Sequence, residues 1–362
     1  MRFIPRCFAL AQKSLRGLIN GIASCNLGLE ERSMIDSHVH LFAGSHLDQL
    51  AWMTLDNPLR SPHRVDEYIN SSKPIAITGI VFVEVDRKHT STDWSQPIAE
   101  YEYICRIITG KLLSAEGAIS NRTAGGIPVV GMVPWAPIAF DFARFEGYVC
   151  KLKQINAECF KYVKGFRHLV QNDPRGTMLT DDFISALNWL GSHGFVFELG
   201  IDLRSGGLWQ YEEAVEMMRR APDTRYIIDH LGKPDLRIPR GEVSSRKEFV
   251  GWKNAMIEFA KYDSYVKLSG AFSELPPIKE YCKEDLDNAV EVVYSWAKTA
   301  YEIFGAKRIM WGSDWPVCKL GGKKDALRNW KYICDRLVDR IGFSDEEREW
   351  VWEKTCIKAY NL

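Results

Sequence analysis

Eight short, β-rich runs recur along the chain, several of them nearly continuous in apolar residues: residues 35–39, 77–85, 128–133, 162–166, 195–199, 225–228, 265–268 and 308–311. Runs of this length without polar alternation are expected of strands buried on both faces, the state of parallel strands covered by helices. Between them polar and apolar positions fall at helical spacing. Residues 209–221 (WQYEEAVEMMRRA) open on acids and close on Arg219 and Arg220, in the sense that suits a helix dipole. Residues 285–304 place Leu286, Ala289, Val292, Val293 and Trp296 on one face. Strand and helix alternating eight times predict an α/β fold, a (β/α)8 TIM barrel in a single domain. A doubly wound open sheet is the rival, but no G-x-G-x-x-G turn follows any of the strands.

Two connections are longer than a barrel needs. Residues 42–72 follow the first strand and residues 232–245 the sixth. Loops after strands form the catalytic face of a barrel, so both are expected to wall or cover a site. The barrel is expected to occupy residues 34–362. Residues 1–33 form an N-terminal extension: the first 29 hold Arg2, Arg6, Lys13 and Arg16 and no acid. That composition suits a targeting segment or a disordered extension upstream of a working start at Met34.

Composition narrows the class of partner. The 362 residues carry 47 basic and 47 acidic side chains, with 46% hydrophobic and 26% charged, an ordinary globular balance. No basic block points to nucleic acid, and no apolar run approaches the roughly 20 residues that cross a bilayer. Nine cysteines lack any Cys-x-x-Cys pair, which suits reduced thiols and a cytoplasmic protein, with a mitochondrial location as the alternative the extension raises. The expected partner is a small molecule, and homo-oligomerisation is left open.

Chemistry concentrates where strands end. The first ends in "MIDSHVHLF", and in an extended chain His38 and His40 share one face while Val39 takes the other. The sixth ends in "IIDHLGKPD", supplying Asp229 and His230, and the eighth in "IMWGSDWPV", supplying Asp314. In a barrel these ends meet at one mouth, although singly each histidine is as readily a surface or core residue.

"DSHVHLF", "IDHLGKPD", "KLSG" and "MWGSDWPV", in this order and spacing, resemble the amidohydrolase superfamily from about Met34 onward. Within it the chain is most similar to the branch of sugar-acid and dicarboxylate lactonases, and "HLFAGSHLDQLAW" is most like its L-rhamnono-lactonases. The resemblance implies a hydrolase that opens an aldonolactone with water, with His38, His40, His230 and Asp314 in the active site. Asp314 suits the general base, and the histidines suit polarisation of the carbonyl, directly or through a metal. The alternative is a metal-dependent decarboxylase of an aromatic or dicarboxylic acid, or a dicarboxylate lactonase, on the same barrel.

Strand five departs from the superfamily pattern, carrying "HGFVFELGI" without the histidine of many metal-dependent relatives. Glu198 is the expected replacement, giving a candidate metal set of His38, His40, Glu198 and Asp314, with zinc the divalent ion such donors suit. Metal-independent catalysis is the equal alternative. Lys164 is expected to be structural, and His193 to lie at the far end of the barrel. Candidate substrate contacts are Arg167, Arg204, Lys233, Glu84, Trp52 and Trp135. Arg87, Trp209 and Trp315 are further candidates for a ring of cations and aromatic faces at the mouth.

Overall fold

The computed structural model describes residues 33–117, 126–276, 278, 280–322 and 325–362. The extension expected over residues 1–33 lies, Ser33 apart, outside them. All eight expected strands form: β1 (Met34–Val39), β2 (Ile77–Val83), β3 (Val129–Val133), β4 (Gly165–Arg167), β5 (Val196–Leu199), β6 (Arg225–Ile228), β7 (Ser264–Leu268) and β8 (Ile309–Trp311). Every pairing is parallel, in the orders β1-β2-β3 and β4-β5-β6-β7-β8. Isolated parallel bridges span the two seams, Met132 with Val163 and Trp135 with Arg167 on one side, Val39 with Trp315 on the other. The fold is the α/β barrel expected from the alternating pattern.

Alternation along the strands sorts the side chains. Phe197, Leu199, Tyr226, Ile228, Val266 and Leu268 join the large core beneath the surrounding helices. Val196, Ile227, Tyr265, Met310, Val81, Val83 and Val133 instead form a separate inner cluster with Ile35. Cys356, Ala359 and Tyr360 of the last helix, Thr355–Tyr360, complete that cluster and close the interior from the N-terminal ends of the strands. The two expected helices are present as Leu208–Arg220 and Lys283–Phe304. In the second, Leu286, Ala289, Val293 and Trp296 are buried and Val292 is half-buried.

One irregularity matters for the site. Ile35 points into the barrel, and simple alternation would then send His38 outward. The pairing of β1 with β2 slips between Asp36 and Val39, and such an extra residue reverses the phase of the strand. The buried Asp36 carboxylate fixes the slip by accepting from the His38 and Ser313 N–H groups and from the Tyr68 hydroxyl. Downstream of it, His38 and His40 face inward and Val39 joins the outer core.

Among the described residues no helix is long and apolar enough to cross a membrane. Lys164 stands before β4, at the closed end, where its Nζ donates to the Asn361 carbonyl at 3.1 Å. His193 stacks on Trp189 just ahead of β5. His193 thus lies at the far end of the barrel, as expected, and Lys164, read as a residue near the end of strand four, instead precedes β4 at that same end.

Candidate active site

The ends of β1, β6 and β8 bring His38, His40, His230 and Asp314 together. His38 Nε2 and His40 Nε2 are 3.1 Å apart, and Asp314 Oδ1 lies 3.8 Å from the first and 3.4 Å from the second. His230 Nε2 is 3.9 Å from the same oxygen. All four side chains are buried. Burial alone would raise the Asp314 pKa, but the imidazoles of His230, His40 and His38 outweigh it and hold the carboxyl well below its ordinary range. Burial, with Lys233 and Lys267 nearby, lowers His230 to about 4 against the pull of Asp314 and Asp229. At neutral pH the set is therefore one carboxylate facing a neutral His230.

Each imidazole is oriented through its second nitrogen. His40 Nδ1 donates to the Val83 carbonyl at 2.9 Å, leaving the Nε2 lone pair turned to Asp314 and His38. His230 Nδ1 meets the Ser269 hydroxyl at 2.8 Å. The ring fits only because residue 270 is glycine: a Cβ there would stand 2.4 Å from His230 Cγ. His230 and Asp314 themselves occupy the left-handed region, at φ 54° and 57°. Strained backbone of this kind persists where surrounding structure forces it, and it is frequent at functional sites.

His38 Nδ1 has two neighbours of opposite character. Lys267 Nζ is 2.9 Å away and can only donate; Asp229 Oδ1 is 3.3 Å away and can only accept. That Asp229 oxygen is buried and has no partner of hydrogen-bond geometry. Two proton arrangements are therefore open. With Lys267 donating, His38 carries its proton on Nε2 and directs it to His40. With His38 donating to Asp229, its Nε2 lone pair joins those of His40 and Asp314.

The second arrangement is one that could hold a metal ion. His38, His40 and Asp314 offer one buried donor atom each within ligand reach of one another, and Asp229 is the acceptor such a histidine requires behind it. These residues fit a zinc-type ion. Glu198, expected among the ligands, is not brought to this set. Both its oxygens lie 2.7 Å from Lys267 Nζ, and the Tyr360 hydroxyl donates to one of them. It sits one layer deeper, and burial beside Asp229 pushes its carboxyl up to about 8 despite Lys267.

Above the set is a cavity of about 300 Å³ lined by Trp52, Asp86, Arg167, Arg204, Lys233, Glu274, His40, His230 and Asp314, among others. Four expected substrate contacts, Trp52, Arg167, Arg204 and Lys233, reach it. Glu84 does not: its carboxylate takes Arg167 Nε at 2.5 Å and the Asp86 N–H at 2.6 Å, so it holds the wall from behind. Trp135 does not either, being buried among His89, Trp94 and Tyr148. Trp315 packs on His63 and Tyr68, and Arg87 pairs with Glu100 and His46 away from the cavity. Trp209 lies outside the lining. Three residues that matter, Lys267, Ser269 and Asp86, are missing from the expected set. A lysine inside the apolar run "YVKLSG", in phase with Ser269, was the available signal for the first two.

Residues 157–362 match the family model described as amidohydrolase. The chain is 37% identical over 342 residues to L-rhamnono-gamma-lactonase of Scheffersomyces stipitis, covering 92% of this chain and 100% of that one. It is 28% identical over 180 residues to L-fucono-1,5-lactonase of Burkholderia ambifaria, covering 49% and 54% respectively. An amidohydrolase from Burkholderia multivorans, solved with bound zinc, shares the fold at TM-score 0.65 and 20% identity, over 91% of this chain and 99% of that one. The chain belongs to the amidohydrolase family.

Proposed function

We propose that this protein is a carboxylic ester hydrolase that opens a neutral sugar-acid lactone, an aldonolactone of the L-rhamnono-1,4-lactone type, in cytoplasmic sugar catabolism. The observation that carries the reading is the match along the whole length of a curated L-rhamnono-gamma-lactonase, with an ionised carboxylate and three histidines beneath a cavity.

Charge in that cavity supports an uncharged substrate. Arg167 is spent on Glu84 and Asp229, and Arg204 on Glu274 at 2.5 Å. Lys233 donates to Gln171 at 2.6 Å. The three cations share the wall with three carboxylates, Asp86, Glu274 and Asp314, so no net positive field is left to hold a dicarboxylate.

The residues divide the chemistry as follows. Water attacks the lactone carbonyl and Asp314 takes its proton, a task for which a buried, ionised carboxylate is ready. With Nδ1 accepting from Ser269, His230 presents Nε2–H toward the developing oxyanion. When the tetrahedral adduct collapses, the ring C–O bond breaks and the proton held by Asp314 passes to the leaving oxygen, giving a hydroxy acid. A zinc ion held by His38, His40 and Asp314 would supply Lewis-acid polarisation of the carbonyl.

Incubating the protein with aldono-1,4- and 1,5-lactones and following acid release is expected to show ring opening of at least one. A chelator arm assigns the metal: lost activity restored by zinc places it in the reaction, and unchanged activity places carbonyl polarisation on the histidines. Failure to open any aldonolactone would overturn the reading. We also propose that residues 1–33 are dispensable. A chain begun at Met34 loses the Ser33 hydroxyl contacts to Thr78 and Glu353, worth about 1 kcal/mol each, and is expected to fold and turn over within about twofold of the full chain, because the first strand of the barrel begins at Met34. An insoluble or inactive product would count against it.

A further inference from the structure

The segment that follows β2 is tied down from two sides. Leu50, in the long loop after β1, bridges Arg87; the Ala51 N–H donates to the Asp86 carbonyl at 2.8 Å, and Trp52 Nε1 donates to the Val85 carbonyl at 2.8 Å. From beneath, Glu84 accepts the Asp86 N–H while Arg167 clamps Glu84. Both backbone polar groups of Asp86 are thus committed, and its φ is held at 55°.

A turn of this kind asks only for a residue that enters the left-handed region, which glycine does without strain. The chain places a carboxylate there instead, half-buried on the cavity wall between Trp52 and Arg167. Among the described residues the hydrogen bonds found for Asp86 are those of its backbone. The other carboxylates of the cavity are occupied, Glu274 by Arg204 and Asp314 by the histidines. An acceptor on a fixed backbone with unspent lone pairs, sharing the cavity wall with the Trp52 indole, is the arrangement that recognises a polyhydroxylated ring.

We propose that Asp86 is a specificity-determining residue whose carboxylate accepts hydrogen bonds from the hydroxyl groups of the substrate. This rests on the lactonase reading above. It is not part of the bond-breaking set, and it acts on which lactone is held rather than on how the ester opens.

The test uses Asp86→Gly, which removes the carboxylate and keeps the left-handed backbone free of strain, and Asp86→Asn, which keeps the shape and part of the hydrogen-bonding capacity. Two quantities are read on the full chain: kcat/KM for an aldonolactone relative to its unhydroxylated parent lactone, and binding of the matching aldonolactam, which water does not open, by calorimetry. The expected result is a fall in the kcat/KM ratio of about 10- to 100-fold for the glycine variant, carried mainly by KM, with the asparagine variant between it and the parent. Lactam affinity should fall in parallel. An unchanged ratio, or an equal loss on both lactones, would overturn the role of Asp86 while leaving the lactonase reading intact. A parent that binds the lactam through Asp86 but opens no lactone would leave Asp86 as a hydroxyl-recognition residue and defeat the reaction instead. A parent that does neither defeats both.

Discussion

Asp314→Asn is expected to lower kcat by about 10²- to 10⁴-fold, the range for removal of a general base, with the far-UV circular dichroism of the parent retained. The amide copies the shape of the carboxylate, and asparagine is among the few residues that tolerate the left-handed backbone found at this position. The backbone bonds that hold residue 314, from its N–H to the His38 carbonyl and from the Cys318 N–H to its own carbonyl, do not involve the side chain. What disappears is the charge. That carboxyl, with three imidazoles 3.4–3.9 Å away, lies well below its ordinary range despite burial, and an amide cannot take a proton from water. If a metal takes part, the same substitution also weakens one of its three ligands, so both mechanisms expect the loss. A variant within threefold of the parent would assign the base elsewhere.

Much of this site is written in the chain. The strand runs are legible because a doubly covered parallel strand cannot carry polar residues without a cause, and His38, His40, His230 and Asp314 each stand at the end of such a run. Where an element alternates cleanly, the face of a residue can be read from its neighbours. Depth cannot. Glu198 and Asp314 both lie on the inner face of the barrel, yet β5 sets the first a layer below the second, where it meets Lys267 and Tyr360. Tyr360 comes from the far end of the chain, so no local pattern could place it there. The slip in β1 is equally hidden: it depends on Asp36 meeting Ser313 and Tyr68, residues distant in sequence. Trp135 and Trp52 look alike as aromatic residues in connecting segments, and only the docking of the β1 loop on Val85 decides which one reaches the cavity.

Lys267→Met is expected to cost about 3–5 kcal/mol of stability, the usual result of removing one partner of a buried ion pair. Lys267 has no exposed surface and contacts both oxygens of Glu198, Asp229 Oδ1 at 3.4 Å and His38 Nδ1. Methionine fills most of the volume, so the loss comes from leaving Glu198 and Asp229 without the cation that contacts both rather than from a void. The pH dependence gives the sign. Glu198 already has a folded-state pKa raised to about 8, above its unfolded value, so the folded chain holds the extra proton and Glu198 penalises stability increasingly as pH rises from about 4.5 to 8. Without Lys267 that pKa moves further up. The penalty should then keep growing above pH 8, and the gap between variant and parent should widen with pH in denaturant titrations. Adding Glu198→Gln removes the titrating group, so the double variant should regain more than half of the lost stability and lose the steep pH dependence. A single variant within 1 kcal/mol of the parent, or a double variant no better than the single, would deny the ion pair its structural role. The double variant also tests the two proton arrangements at His38. With Lys267 gone, Nδ1 has only Asp229 to meet, so ¹⁵N shifts of the His38 ring in metal-free protein should report the proton on Nδ1. Zinc affinity should rise accordingly. If the proton stays on Nε2, Lys267 is not what decides between a hydrogen-bonded histidine pair and a metal site.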